Sequence, residues 1–527
     1  MTMITLHEEK GKILLVSKGN DTPGILHYGS YLTVTDEDPE GSNKRFILRV
    51  EESYQSSSFT ISPMLVDMDI KPLTQDQRLK NIVMASRITE IPPREDGMSS
   101  YIKPLLTARV SNQEEIDYAI GNSSGVPVFP ATAYARNAQI LRDENRKAIH
   151  VNIPDDAFFH QILITGATGS GKTVAMKYLA QYFVENFKNE KGYHGAVLAV
   201  NVKEEDLLYL DKATKNYSKE VKQEWNDIGL QPHGVGSFRV YYTGSKMPNY
   251  SSKVDRSKCE SITLKVKNLE PEDISGLLPN LTLHGAEQLP NIFRHWKENA
   301  MKPNDTMKTF ISYFDDPIKE RQFDVLTANG DKYVYKINAG TYNSIKTALQ
   351  LSSDYFDNEG ATELEAKNIL MRQKISVIDV SQKKGAAFGA ILLRNILDKI
   401  YIAKSENRME DDVPILLIID EVHDFYGNSR SREALDTLDA IARKGRSLSI
   451  GVIFASQNPE DIPGGISKVV NSQISFKGSA GKIGIKSEIF DHESLNSGYA
   501  IAKIHEMSQI KLIKFPLALG GVFIGQK

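Results

Sequence analysis

Residues 166–173 read GATGSGKT. The run fits GxxxxGK[ST], and its flanks fit as well: the apolar stretch HQILITG precedes it and GKTVAMKYLAQYFVENFKN, with helical spacing, follows. The chemistry this arrangement offers is phosphate binding. Glycines let backbone N–H groups wrap phosphate oxygens without a Cβ in the way, and a helix N-terminus adds partial positive charge. Gly166, Ala167, Thr168, Gly169, Ser170, Gly171, Lys172, Thr173 and Val174 are the expected nucleotide-binding residues. Lys172 would reach the β- and γ-phosphates, and the Thr173 hydroxyl would meet Mg2+.

A phosphate loop needs an acidic counterpart, and ILLIIDEVHDF supplies one. An apolar run ends in Asp420 and Glu421, at the strand edge where ligands of open α/β sheets bind. Asp420 would hold Mg2+ through water and Glu421 would polarise the attacking water as general base. The competing account is a helix cap: an N-cap Asp followed by a first-turn Glu. Further on, Leu435, Leu438 and Ile441 mark a helix face that ends near Arg443, Lys444 and Arg446. Those cations either complement the helix dipole or supply an arginine finger to a neighbouring subunit. Gln457, closing SIGVIFASQ, is a candidate γ-phosphate sensor or an ordinary turn residue.

The elements that must position these residues are legible in outline. GAVLAVNV (195–202), KISVIDVS (374–381), PILLIIDE (414–421) and SIGVIFASQ (449–457) join the loop strand as buried strands, mostly separated by helical patterns. That alternation predicts a parallel sheet covered on both faces, an α/β core. Residues 1–150 carry short β-branched runs separated by turn clusters such as GNDTPG, which predicts a small barrel or sandwich. The core is expected over 151–476, interrupted by a largely helical insertion at about 215–370, with a strand-rich extension over 477–527.

Bulk composition bounds the function. A net charge of −3 excludes a uniformly basic nucleic-acid binder but leaves room for a basic channel. The single cysteine, Cys259, allows neither an internal disulfide nor a thiolate metal cluster. The N-terminus does not read as a signal peptide, and no apolar run reaches the length of a bilayer span, so a cytoplasmic protein without membrane attachment is expected. No residue set points to a nuclease metal centre.

Together, GATGSGKT, VNVKEEDLLYL, IDEVHDF, IARKGRSLSIGVIFASQNPEDI and the strand-rich N-terminal region resemble the HerA-type hexameric ATPases, relatives of the FtsK DNA pumps. The resemblance implies a RecA-like P-loop ATPase core, an N-terminal barrel that docks partners, and a homo-hexamer with double-stranded DNA in its central pore. It places the trans-acting arginine on Arg446. Two positions depart from the family pattern: His160 is the nearest match to a basic residue before the loop strand, and Asn201 stands where Asp is common, with Glu205 as the nearby acid. Pore-lining candidates are Lys383 and Lys384 in SQKKGAAFG and Arg430 and Arg432 in YGNSRSRE, where cations would track phosphates without reading bases. Solvated loops are the alternative. The implied function is ATP hydrolysis coupled to DNA translocation or helicase activity, in concert with a partner nuclease or effector, in end processing or antiviral defence. A ring that mainly activates an effector would share all these ATPase residues; a conjugation-type pump at a membrane is a further alternative, and the lack of a bilayer-length apolar run counts against it.

Overall fold

The structure, a computed structural model, describes residues 3–524 except 10, 19–25, 38–42, 58–78, 94–99, 121–123, 135–136, 144, 273, 276–277, 279–280, 327–328, 382–384, 407–411, 423–440, 442, 458–459, 461–469, 479–494, 506 and 508–511. Six antiparallel strands open the chain: β1 (Met3–Glu9), β2 (Lys12–Lys18), β3 (Tyr31–Glu37), β4 (Asn43–Ser57), β5 (Leu79–Ile91) and β6 (Thr107–Val110). They close into a barrel in the order β1-β2-β5-β4-β3-β6, with β1 pairing back onto β6. Alternate residues fill it, among them Ile13 and Leu15, Leu32 and Val34, Phe46, Leu48 and Val50. Closure removes the sheet edges that a lone antiparallel sheet would expose.

The remaining strands are β7 (Gly125–Tyr134), β8 (Asn137–Ile140), β9 (Val151–Pro154), β10 (Ile162–Thr165), β11 (Ala196–Asn201), β12 (Ser237–Thr243), β13 (Cys259–Thr263), β14 (Gln322–Leu326), β15 (Lys332–Lys336), β16 (Thr362–Glu363), β17 (Lys374–Asp379), β18 (Ile415–Ile419), β19 (Ile450–Ser456), β20 (Ser472–Phe476), β21 (Tyr499–Lys503) and β22 (Leu512–Lys514). All but the β14–β15 hairpin join one 14-stranded sheet, ordered β16-β13-β12-β17-β11-β18-β19-β10-β20-β21-β22-β7-β8, with β9 also on β7. From β16 to β20 the pairing is parallel; from β20 onward it is antiparallel.

The central strands are buried on both faces, as their unbroken apolar runs require. Leu198, Leu417 and Val452 pack on one face, with the helix Gly385–Ser405 and the inserted helix Leu283–Asn299. Val197, Leu416 and Ile453 pack on the other, against Leu179 and Phe183 of the helix Lys172–Glu185. Phe187, expected on that helix, lies just past its end and stacks on Phe183 at 4.6 Å.

Strand pairing draws the seams in its own places. The barrel is complete at Val110, and the strands from Gly125 onward pair into the large sheet, ahead of the expected boundary at residue 150. Strand texture is alike on both sides of that seam, so only pairing separates them. The stretch expected as an insertion carries the helices Lys219–Asp227, Leu283–Asn299, Met307–Phe314 and Ala339–Ser352, and it also lends β12, β13 and β16 to the parallel sheet. Barrel and core are joined by the helix Gln113–Ile120, whose buried Glu115 accepts hydrogen bonds from Thr33 Oγ1 at 2.7 Å and from Arg109 at 2.5 and 2.9 Å. Among the described residues, no helix is long and apolar enough to cross a membrane.

Candidate functional site

The loop 166–171 leaves the C-terminal end of β10 and enters the helix at Lys172. Gly166 and Gly171 have φ of 152° and 114°, and neither position has room for a side chain. A Cβ on Gly166 would meet Phe476 Cβ at 2.7 Å, and one on Gly171 would meet Gly498 N at 2.8 Å. The C-terminal strands clamp the loop from outside: Ala167 N donates to Lys477 O (2.8 Å) and Gly498 N to Ser170 O (2.9 Å). Lys172 Nζ, buried, donates to the Gly166 and Ala167 carbonyls. Burial pushes its ammonium below the ordinary range, and Glu421 and Asp420 oppose that shift.

The acidic pair follows β18. Asp420 and Glu421 are both buried, and Glu421 has a φ of 44°. That backbone is left-handed, so Glu421 itself does not have helical geometry. Such a conformation is costly for a non-glycine residue and aims the side chain where a regular turn would not. Glu421 Oε1 lies 2.5 Å from Lys203 Nζ and accepts from Gln457 Nε2 at 3.0 Å. Asp420 Oδ1 accepts from Glu421 N at 2.9 Å. Burial, then the neighbouring Glu421 charge, pushes the Asp420 carboxyl up to about 6.

Loop and acids share one cleft of about 410 Å3, lined by Ala167–Gly169, Gly171–Val174, Lys177, Lys203, Asp206, Tyr209, Lys253, Asp420, Glu421, Ser497 and Gly521–Phe523. One strand, β19, separates the loop strand from the acid-bearing strand, and Gln457 at its tip reaches Glu421 across that gap. The donor set fits Mg2+: a hydroxyl, Thr173, and a buried carboxylate, Asp420, are hard oxygen ligands.

Other expected residues lie elsewhere. Asn201 Nδ2 bonds Asp379 Oδ1 (2.9 Å) and Glu204 O (2.8 Å), tying β11 to β17. Glu205 accepts from Ser251 N and Oγ at 2.6 and 2.5 Å; the acid that lines the cleft is Asp206. His160 and Arg446 precede β10 and β19, and so stand at the opposite end of the parallel sheet from the loop. There Asp156 Oδ2 is 3.0 Å from His160 Nε2 and 3.4 Å from Arg446 Nη2, and His160 stacks on His505 at 3.7 Å. Seven residues of β19 lie between Arg446 and Gln457, about 20 Å of strand. Arg446, 64% exposed, therefore cannot reach the phosphates of its own loop. Ile441 is buried and helical, while Leu435, Leu438, Lys383, Lys384, Arg430 and Arg432 lie outside the described residues.

Lys203, Tyr209, Lys253 and Phe523 escaped the sequence reading. Lys203 follows β11 at the ligand-bearing edge, a position that the strand-edge rule could have flagged. Phe523 carries no local signal; the fold alone brings the last residues to the cleft.

The strand order, the phosphate loop and the acidic pair define a RecA-like P-loop NTPase core behind a closed barrel. No family profile matches the chain. It is similar to two curated proteins, each named DNA double-strand break repair helicase HerA. It is 21% identical over 336 residues to that of Sulfurisphaera tokodaii, and 22% over 333 residues to that of Sulfolobus acidocaldarius. Each match covers 62% of this chain, which spans 57% of the length of these relatives. Solved structures similar to it include VirB4 of Thermoanaerobacter pseudethanolicus (TM-score 0.44, 15% identity, 75% of this chain and 97% of that one). Another is the plasmid coupling protein TrwB with ADP and Mg2+ (TM-score 0.42, 13% identity, 70% and 87%).

Proposed function

We propose that the chain is an Mg2+-dependent ATPase that works as a homo-hexameric ring and moves along double-stranded DNA. The observation that carries this reading is the convergence of Lys172, Asp420 and Glu421 in one cleft at the C-terminal edge of a parallel sheet. Lys172 would leave its loop carbonyls for the β- and γ-phosphate oxygens. Thr173 and Asp420 would hold Mg2+, which supplies charge neutralisation between the phosphates. The Glu421 carboxylate would take the proton of the attacking water, its Oε1 held by Gln457 and charge-balanced by Lys203.

Arg446 stands about 20 Å of strand from this chemistry, at the opposite sheet end, which supports a role on a neighbour's nucleotide and therefore a ring. DNA as the track rests on the similarity to the helicases named above. The barrel is the docking surface for a partner nuclease or effector: Tyr101 and Leu105, at its rim segment before β6, are 91% and 72% exposed. The test is phosphate release from Mg2+-ATP with and without linear duplex DNA. Turnover that DNA stimulates and that Lys172→Ala abolishes is expected; the absence of turnover under every condition would overturn the reading.

A further inference from the structure

The cleft is lined by more than the phosphate loop and the acidic pair. Besides Thr173 and Val174, Lys177 of the loop helix lines it, together with Tyr209, Lys253 and Gly521–Phe523. Tyr209 and Phe523 stand edge to face, ring centroids 5.5 Å apart and planes at 83°, so they form a corner of two aromatic surfaces. Lys253 Nζ lies 5.5 Å from the centre of the Phe523 ring.

This corner is built by a tail that the core grips closely. Gly521 N donates to Lys212 O (2.8 Å) and Lys215 N to Val522 O (3.0 Å). Lys177 Nζ, buried on the loop helix, donates to Gly521 O at 2.7 Å. A Cβ on Gly520 would meet Leu210 O at 2.8 Å, and Gly521 has a φ of 76°, so the two glycines allow the tail to run against the segment that carries Tyr209. A buried ammonium and two glycines thus fix the position of Phe523 relative to the helix that starts at Lys172.

We propose that Tyr209 and Phe523 form the platform for the purine base of the nucleotide, which makes the C-terminal tail part of the catalytic cleft. The proposal rests on the nucleotide reading of the phosphate loop and adds the subsite for the base. Two aromatic rings, with Lys253 beside Phe523 and Lys177 Nζ 5.7 Å from the centre of Tyr209, accept a flat heterocycle by stacking, and base–aromatic stacking is worth about 1–3 kcal/mol per base. By that measure, removing one ring weakens binding on the order of 5- to 150-fold.

The test compares two probes on the full-length protein: ATP, and inorganic tripolyphosphate, which has no base. Phe523→Ala is expected to weaken ATP binding on the order of tenfold and leave tripolyphosphate binding unchanged. Phe523→Tyr, which keeps a ring, is expected to bind ATP like the parent. Equal weakening of both probes by Phe523→Ala would overturn the platform, because the tail would then be shaping the phosphate end. ATP binding unchanged by Phe523→Ala but lost in Lys172→Ala would also overturn it while leaving the nucleotide reading standing. ATP binding unchanged by Lys172→Ala would instead sink the nucleotide reading itself.

Discussion

Lys203 Nζ lies 2.5 Å from Glu421 Oε1, so the carboxylate placed to accept a proton is already held in an ion pair. The two partners differ in burial: the Lys203 side chain is 46% exposed and that of Glu421 is 6%. The pair is open to water on the lysine side, so a Lys203 left without its partner is solvated there, and breaking the pair costs less than breaking a fully buried one.

Glu421→Gln separates chemistry from folding on that basis. The amide keeps the shape and loses the proton acceptor. Turnover should fall on the order of 10²–10⁴-fold, while ATP binding and thermal stability stay close to the parent. Hydrolysis at the parent rate, measured by phosphate release, would remove Glu421 from the mechanism.

Glu115 should hold the barrel to the core. Burial pushes its carboxyl up, but hydrogen bonds from Arg109 and Thr33 and the Asn112 N–H more than offset this, so it titrates below its ordinary value of 4.5. A carboxylate depressed by folding stabilises the fold above the unfolded value, and that contribution is lost as pH falls through the folded one. Glu115→Ala should cost about 2 kcal/mol or more locally at pH 7, less than a fully buried pair because Arg109 is 37% exposed, and the cost should shrink below about pH 4. Hydrogen exchange of the helix Gln113–Ile120 reports it; equal protection in variant and parent at pH 7 would contradict it.

Lys177 acts in an alkaline window with the same sign. Burial pushes its ammonium down to about 8 from an ordinary 10.5. Between those values the unfolded chain binds more protons, so stability should rise as pH rises from about 8 to 10, by on the order of 3 kcal/mol. Lys177→Met should flatten the rise in urea denaturation curves. A variant with the parent's slope would assign it to other groups.

Much of this site was legible in the sequence because its signals are local. GATGSGKT and the Asp420–Glu421 strand end each carry their chemistry within a few residues, and the five apolar strands around them lie where their runs predict. What the sequence could not carry was pairing between distant segments. β7 to β9 have the same texture as the barrel strands yet join the large sheet through β22, near residue 513. Phe523 enters the cleft because its neighbours Gly521 and Val522 bond Lys177, Lys212 and Lys215, some 300 or more positions earlier. Glu205 and Asp206 are adjacent in sequence, and only the partner of Glu205 on the loop at Ser251 decides which of the two lines the cleft.

The ring is tested most directly by mixing two disabled proteins. Arg446 and Lys172 occupy opposite ends of the sheet, so one nucleotide can use both only if they come from different copies. An arginine finger is worth about 10³–10⁵ in rate in phosphoryl transfer, so Arg446→Ala should bind ATP and hydrolyse it very slowly, and Lys172→Ala should be inactive. Co-expressed with different tags and purified through both, the two should regain a measurable part of the parent ATPase rate, at interfaces that pair an intact Lys172 with an intact Arg446. Parent-level hydrolysis by Arg446→Ala alone would contradict the account, and so would doubly tagged rings that recover no activity.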